Sequence, residues 1–407
     1  MFPVLNNRWS VLALMFLIGI AVPMQFQAVP AVAPFLVEEA GLSYTQIGLL
    51  TGLFMFPGIL LALPVGLLGV RFGDKNVMVA GLALMCAGSL LFAITDAYAL
   101  MFLSRLLGGA GAVLLMVQRS KVITDWFAGK EISTAMAIIA SSFGLGVGIA
   151  MATLPGLAAA VSWRSAVLAD AALPALALIV LLALYRDPPE QESGAGTEKR
   201  KLWNINRAEL VLSAVAGVAF SLFVTGYIVF MSYTPFLLAE RGVSPVEAGF
   251  LVSLVALVSI GSVPLGGYLT DRSGKTNLFV VGGALGAAFA CLMIPVFPPA
   301  LPWIMLFGFL RGGCTGGILA LPAQVLRPQS RGTGFGVFFT VYYAAMALIP
   351  PLAGSLLDVT GRPAASIWFG GALWLSIVLT LLIFRLLQRR WVPADLPGQP
   401  GRVTVRD

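Results

Sequence analysis

The chain has 407 residues, of which 59% are hydrophobic and only 11% are charged, and its mean hydropathy is +0.94. Soluble domains carry about 25% charged residues, so this composition excludes an ordinary soluble protein and predicts one embedded in a lipid bilayer. The net charge of +7 does not indicate a nucleic-acid partner, because basic residues in membrane proteins record orientation.

Polar interruptions divide the sequence into twelve apolar spans, each close to the roughly 20 residues that cross a bilayer. The first is interpreted as a span and not as a signal peptide, because its apolar run continues to Val37, beyond the cleavage-like Ala31-Val32-Ala33. The spans are predicted at 10–36, 46–69, 76–95, 98–123, 132–155, 165–185, 208–237, 247–269, 276–296, 301–324, 333–357 and 365–387.

The basic residues predict the orientation of these spans. With the N-terminus inside, 20 of the 25 lysines and arginines fall on the cytoplasmic side, and only Arg164, Arg241 and Arg362 fall outside. Since cytoplasmic loops are enriched in Lys and Arg, both termini are predicted to be cytoplasmic, in a multi-pass protein of the cell inner membrane.

One long polar segment, rich in proline, glycine and basic residues, separates the spans into two sets of six. We therefore predict an N-terminal six-helix bundle at 1–186, a cytoplasmic linker at 187–207 and a C-terminal six-helix bundle at 208–390. The polar, proline-rich segment at 391–407 is predicted to be a disordered cytoplasmic tail.

A short polar loop, Gly267 to Lys275, has a counterpart 201 positions earlier, at Gly66 to Lys75. The pattern Gly-x-x-x-Asp-Arg-x-Gly-Lys between two apolar spans resembles the signature loop of the major facilitator superfamily. The resemblance implies an all-α membrane protein of twelve transmembrane helices in two pseudo-symmetric six-helix bundles, which transports solutes by alternating access. It also implies gating residues in the two loops, at Gly66, Arg71, Gly73, Gly267, Asp271, Arg272, Gly274 and Lys275.

The two loops differ in their charges. Val70 stands where the acidic residue belongs and Asp74 where a basic one belongs, so a clasp to a neighbouring helix is expected only from Asp271. A finer likeness lies in Asp125 to Glu131, in Trp163-Arg164 and in the glycine-rich fifth and eleventh spans. These stretches are similar to the cyanate-permease and nitrate-nitrite-porter side of the superfamily, although the asparagine of the porters is missing.

Two arginines inside spans are the strongest candidates for solute binding. Arg105 and Arg311 are repeat counterparts at an offset of 206, and a guanidinium within the membrane normally faces a cavity or a partner. For Arg105 a structural role stays open, because Arg-Leu-Leu-Gly-Gly-Ala-Gly resembles a fourth-helix motif whose arginine often bonds the backbone. The candidate substrate-binding residues are Arg105, Arg311, Gln25, Gln27, Tyr227, Gln118 and Gln324.

The remaining polar residues exclude several classes of function. There is no histidine, the three cysteines lie in apolar runs, and only Asp170 among the acidic residues falls inside a span. Hence no catalytic residue, metal site or cofactor is expected, and no deep proton-carrying carboxylate is evident. We predict a monomeric secondary transporter for a small anion, with a coupling proton or a counter-substrate. The alternatives are an exporter of amphipathic drugs, and a non-transporting membrane scaffold or sensor.

Overall fold

The computed structural model describes residues 7–127, 132–185, 205–327 and 330–391. These residues are almost entirely helical, and eleven of their helical segments are long and apolar enough to cross a membrane. The predicted all-α membrane architecture is therefore confirmed. The predicted linker lies outside the described residues up to position 204, and so does the predicted tail from position 392.

The first six predicted spans correspond to nine helices, because the first two spans are interrupted. Span 1 contains three helices and span 2 contains two, whereas each of the next four spans is one helix. In chain order the helices are α1 (Arg8–Gly19), α2 (Ala21–Ala31), α3 (Ala33–Ala40), α4 (Tyr44–Leu53), α5 (Pro57–Phe72), α6 (Asp74–Ile94), α7 (Tyr98–Trp126), α8 (Ile132–Ala160) and α9 (Trp163–Leu184).

The last six predicted spans correspond to one helix each. In α13, Arg311 and several glycines dilute the apolar run, and this helix is the predicted span that is not among the eleven apolar segments. A 3-10 turn at Pro322–Gln324 follows it. The helices are α10 (Arg207–Glu240), α11 (Pro245–Ser273), α12 (Thr276–Met293), α13 (Leu301–Leu319), α14 (Arg331–Thr360) and α15 (Pro363–Trp391).

Proline accounts for the interruptions in the first two spans. Pro30 lies in the last turn of α2, Pro34 opens α3, and Pro57 is the first residue of α5. A proline has no N–H group and cannot close the hydrogen bond to the carbonyl four residues earlier. The carbonyl groups freed in this way become acceptors for other helices. By contrast, α10 continues through Pro235.

Four glycines give the internal repeat a backbone signature. Gly41 and Gly242 follow α3 and α10, and both have positive φ, at 66° and 79°. Gly73 and Gly274, in the two signature loops, have φ of 81° and 64°. Both pairs are separated by the 201-residue offset, and glycine enters this region without the steric penalty of a Cβ. Equivalent positions of the repeat therefore share an unusual backbone conformation.

The chain divides into two compact units. Unit 1 contains Met1–Glu198, Met231–Leu257 and Met346–Ser366, so it includes the second half of α14 and parts of α10 and α11. Within it, α4 packs closely on α14, because an added Cβ at Gly48, Gly52 or Gly354 would lie 2.2–2.4 Å from a carbonyl oxygen of the facing helix. Small residues of this kind let membrane helices approach closely.

Unit 2 contains Lys199–Phe230, Val258–Ala345 and Ile367–Asp407. Its helices α11, α12 and α13 also meet through glycines. A Cβ at Gly312 would lie 2.5 Å from Ser262, and one at Gly283 would lie 2.7 Å from the carbonyl oxygen of Leu310. These close contacts lie at Leu310 and Gly312, on either side of Arg311 on α13.

Candidate functional site

The guanidinium of Arg105, on α7 in unit 1, binds backbone carbonyl groups. Nε donates to the carbonyl oxygen of Leu50 at 2.9 Å, Nη1 to that of Gln25 at 3.0 Å and Nη2 to that of Phe26 at 3.2 Å. Its Cζ lies 4.5 Å from the centre of the Phe54 ring. Three of the five guanidinium N–H groups thus join α7 to α2 and α4. These contacts favour the structural role that the sequence left open.

The positions of these carbonyl groups follow from the helix interruptions. The carbonyl of Phe26 has no intrahelical partner, because Pro30 stands four residues later without an N–H group. The carbonyl of Leu50 is in the last turn of α4, where carbonyl groups are left without helical partners. Arg105 supplies the missing donors at both places.

A second polar group lies beside Arg105 and contains a carboxyl group that is wholly buried. Asp170 on α9 is 0% exposed, and its Oδ2 accepts a hydrogen bond from Ser89 Oγ at 3.4 Å. Gln25 Nε2 donates to Ser89 Oγ and to the carbonyl oxygen of Met85. A small cavity is lined by Gln25, Ser89, Arg105 and Asp170, among others. Asp170, the acidic residue that the sequence places inside a span, is thus buried beside this cavity.

The other predicted glutamines lie apart from this cavity. Gln27 is buried, with its Nε2 3.4 Å from Met151 Sδ, and Gln118 donates to the carbonyl oxygen of Val65 at 2.7 Å. In unit 2, Gln324 accepts a hydrogen bond from Arg385 Nη1 at 2.7 Å. Each of these amides has a protein partner, and their role in substrate binding stays a prediction.

Arg119, further along α7, is also a buried arginine. Its Nη1 donates to Ser142 Oγ at 3.0 Å and to the carbonyl oxygen of Met15 at 3.4 Å, and its Nε has no partner among the described residues. The helix α7 continues seven residues beyond it, to Trp126. The sequence signal was that Arg119 lies 14 residues after Arg105, on the same helix face.

Arg311, on α13 in unit 2, has fewer protein partners than Arg105. Its Nη1 donates to Ser259 Oγ at 2.6 Å, whereas its Nε has no hydrogen-bond partner among the described residues. The Cζ atom lies 4.0 Å from the ring centre of Tyr227 and 5.4 Å from that of Phe223. Arg311 is 9% exposed, and no described carboxylate pairs with it.

Hydrogen-bond donors without acceptors accumulate around Arg311. Tyr227 Oη, Thr315 Oγ1 and Trp374 Nε1 are buried atoms that have no partner among the described residues. Thr315 is one helical turn after Arg311, and Trp374 packs on Phe223 with ring centres 5.3 Å apart. Buried donors are normally satisfied. This part of unit 2 is therefore suited to a ligand that brings acceptors and negative charge.

The signature loops contain charges arranged differently from the sequence expectation. In the first loop Asp74 forms an ion pair with Lys121 of α7, and both its oxygens lie 2.8 Å from Lys121 Nζ. In the second, Arg272 donates to Tyr268 Oη at 2.7 Å, while the side chain of Asp271 is outside the described part of the chain. The predicted Asp271 clasp therefore stays a prediction.

The repeat counterpart of Lys121 also binds a carboxylate. Arg327 Nε lies 2.9 Å from Glu209 Oε1, and this hydrogen bond raises the pKa of Arg327. Glu209 also accepts from Ser330 Oγ at 2.7 Å, which ties the start of α10 to the loop before α14. Only the basic residues of the two ion pairs are repeat counterparts, because the acidic partners come from α6 and α10, which are not equivalent.

Comparisons with known proteins agree with this architecture. The Major Facilitator Superfamily profile matches residues 11–350. The chain belongs to the major facilitator superfamily. It is a multi-pass membrane transporter and not an enzyme. The finer likeness to cyanate permeases and nitrate-nitrite porters stays a prediction.

Individual relatives cover most of the chain at low identity. The lysosomal dipeptide transporter MFSD1 of Mus musculus is 25% identical over 402 residues, with 93% of this chain and 86% of the relative covered. The 2-nitroimidazole transporter of Escherichia coli is 25% identical over 373 residues, covering 88% and 90%. The inward-open structure of the xylose transporter XylE from E. coli superposes with a TM-score of 0.76, 15% identity and coverage of 97% and 98%.

Proposed function

We propose that the protein is a secondary transporter for a small solute that carries a carboxylate or a similar group of coplanar oxygens, and that Arg311 binds this group. The observation that supports the proposal is the surplus of donors in unit 2. Arg311, Tyr227, Thr315 and Trp374 each contain a buried donor without an acceptor among the described residues. An oxyanion supplies both the acceptors and the charge that this arrangement lacks.

Electrostatics favours the same assignment. A guanidinium within the membrane is expensive unless something compensates its charge. Among the described residues, the polar and aromatic contacts of the Arg311 guanidinium are one serine hydroxyl and two aromatic rings. Its planar fork matches two coplanar oxygen atoms, which a lysine does not. The partners of Arg105 are already in place, so the two repeat counterparts have different roles in this proposal.

The names of the relatives are compatible with such a group. A dipeptide ends in a carboxylate, and 2-nitroimidazole carries a nitro group, which also presents two coplanar oxygens. The aromatic side chains of Phe223, Tyr227 and Trp374 offer an apolar surface next to Arg311. A small solute with one oxyanion group and a compact apolar part fits these contacts.

The remaining features of the proposal come from the sequence. We place the protein in the cell inner membrane with both termini and the linker in the cytoplasm, on the distribution of Lys and Arg. It transports by alternating access as a monomer, with six-helix bundles at 1–186 and 208–390. The alternatives, a drug exporter and a non-transporting scaffold or sensor, are outcomes that the experiment separates.

The experiment is counterflow in proteoliposomes with a panel of radiolabelled dipeptides, aldaric acids, nitrate, cyanate, 2-nitroimidazole and an amphipathic cation, and with xylose as a neutral control. Arg311→Gln abolishes uptake of the oxyanion solute, and Arg311→Lys lowers its affinity about ten- to a hundredfold, since each lost charged hydrogen bond contributes roughly 1.5–3 kcal/mol.

Arg389→Gln is the matched control, because this exposed arginine in the last turn of α15 has no place in the proposed site. It leaves the affinity unchanged. Normal transport of an oxyanion by Arg311→Gln overturns the proposal. Uptake of amphipathic cations alone supports the exporter, and absence of all uptake supports the scaffold.

A further inference from the structure

The polar cluster around Asp170 in unit 1 has the opposite deficiency from the surroundings of Arg311, because it lacks hydrogen-bond donors. The two N–H groups of the Gln25 amide are used by Met85 and Ser89, and the single hydroxyl hydrogen of Ser89 faces Asp170. Gln25 Oε1 and Asp170 Oδ1 are buried and have no donor among the described residues. The cluster therefore has more hydrogen-bond acceptors than donors.

An ionised Asp170 fits this geometry poorly. A buried carboxylate needs direct pairing or several donors to offset the loss of hydration, but Asp170 receives one long hydrogen bond of 3.4 Å. Arg105 lines the same cavity, yet its three hydrogen bonds to described residues go to the carbonyl groups of Leu50, Gln25 and Phe26. A proton on Oδ1 would place a donor in a region where two acceptors have none.

We propose that Asp170 is a proton-binding site that loads and releases one proton, separately from the Arg311 site. In the geometry described here Asp170 carries the proton, as a neutral carboxylic acid. When the proton leaves, the carboxylate attracts the guanidinium of Arg105, which has two N–H groups not used by the described carbonyl groups. Arg105 then turns from the carbonyl groups of α2 and α4 towards Asp170.

The elements packed on α9 contain few other groups that could titrate. Arg105 comes from α7, and Cys86 comes from α6, where its Sγ lies 4.0 Å from the carbonyl oxygen of Ala171. On α9 itself, Arg164 pairs with Asp96 at the end of the helix. The described side chains of α2 and α8 are uncharged. Lys75 of α6 donates to the carbonyl oxygens of Leu182 and Tyr185 at the far end of α9, and α1 carries Arg8 as its first residue. Asp170 is thus the carboxyl group available to this cavity.

Proton binding at Asp170 can change how α4 packs on its neighbours. Arg105 donates to Leu50, and Gly52 on the same helix touches α14 at Ala347. A change in the partner of Arg105 therefore changes how firmly α4 is held to α7. This step rests on the proposed transport function, whereas proton binding itself does not.

The test is infrared difference spectroscopy of the full-length protein in liposomes, titrated with acid and base in H2O and D2O without any solute. Above about pH 6, where exposed carboxyl groups with pKa values of about 4 are ionised, the wild type still shows the C=O stretching band of one protonated carboxylic acid, which shifts in D2O and disappears as the pH rises further. Asp170→Asn removes the band. Ser89→Ala keeps it and changes the pH at which it disappears, because it removes the hydrogen bond to Oδ2.

Asp96→Asn is the matched control, since this exposed carboxylate pairs with Arg164 and its loss leaves the band unchanged. A wild-type spectrum without a titrating band overturns the proposal, and so does a band that persists in Asp170→Asn. If Asp170→Asn does not fold, an unchanged titration in Ser89→Ala overturns it. Because no solute is used, failure of the Arg311 proposal leaves this result unaffected.

Discussion

Asp358, near the end of α14, accepts a hydrogen bond from the backbone N–H of Thr45 at 2.7 Å, although 313 residues separate the two. The oxygen involved, Oδ2, also accepts from the hydroxyl of Thr45, and the other oxygen, Oδ1, accepts from the backbone N–H of Tyr44 at 2.9 Å. Tyr44 and Thr45 are the first residues of α4. A carboxylate at this place satisfies free N–H groups and interacts favourably with the helix dipole. Asp358 therefore fastens α14 to α4 within unit 1.

We predict that Asp358→Asn loosens this contact. Hydrogen bonds to a charged group contribute about 1.5–3 kcal/mol, and the amide keeps one carbonyl acceptor, so the change weakens the contact by about 1 kcal/mol. A cysteine at Thr51, a buried residue of α4 next to Gly52, reports the opening. In a background without the three native cysteines, its alkylation rate rises about five- to tenfold.

Thr45→Val is the control for this experiment, because it removes only the hydroxyl donor and keeps both backbone bonds. Its effect on the alkylation rate is smaller than that of Asp358→Asn. Equal rates in wild type and Asp358→Asn contradict the role of Asp358 as a fastener.

A second prediction concerns the glycines between α4 and α14. A Cβ at Gly52 would lie 2.3 Å from the carbonyl oxygen of Ala347, so Gly52→Ala forces the two helices apart. Gly261→Ala, on α11, is the matched control, because nothing lies within 4 Å of the added Cβ. Alanine favours a helix over glycine by about 1 kcal/mol. Gly52→Ala therefore lowers the apparent melting temperature of the purified protein, and Gly261→Ala leaves it unchanged or raises it.

The spans could be predicted from the sequence because each needs only a local apolar run of the required length. Gly41 and Gly242 occupy equivalent positions of the repeat. Both positions have positive φ, and the sequence shows this because both residues are glycine. In contrast, the partners of Arg105 could not be predicted. They are backbone carbonyl groups at helix interruptions far from Arg105 in the sequence. Because every residue has a backbone carbonyl, the residue types do not show which carbonyl groups Arg105 contacts.

The buried cluster was missed for a related reason. Asp170 and Ser89 are 81 residues apart, and a hydrogen bond between them depends on how α6 and α9 pack. The sequence gives the position of Asp170 within a span but not the side chains that face it. The same limit applies to Asp358. In the sequence it is an acidic residue near the end of a span, and its hydrogen bond to Thr45 is apparent only once the packing of α4 on α14 is known.

The third prediction separates the two repeat arginines. Arg105→Gln leaves the carbonyl groups of Leu50 and Phe26 without donors in a buried place, at a cost of about 1–3 kcal/mol for each. The apparent melting temperature of the purified protein falls markedly. Arg311→Gln, which removes a charge lacking protein compensation, changes the melting temperature little. The opposite order of stabilities would show that Arg311 is the structural arginine.

The fourth prediction tests orientation. Alkaline phosphatase is active only outside the cytoplasm, so fusions after Arg241 and after Arg362 are active, whereas a fusion after Lys201 is inactive. The physical reason is the excess of Lys and Arg on the predicted cytoplasmic side. Activity of the fusion after Lys201 would reverse the orientation.

The last prediction concerns Gly19 and the buried Arg119. A Cβ added at Gly19 would lie 1.2 Å from Arg119 Nη1, so Gly19→Ala displaces the guanidinium from Ser142 and Met15. Removal of the guanidinium by Arg119→Leu makes space for that Cβ. Residues in contact give non-additive effects, of about 0.5–3 kcal/mol. We therefore expect Gly19→Ala to lower the melting temperature in the wild type and to have a much smaller effect in the Arg119→Leu background. Additive losses in the double variant would mean that the two residues do not share this space.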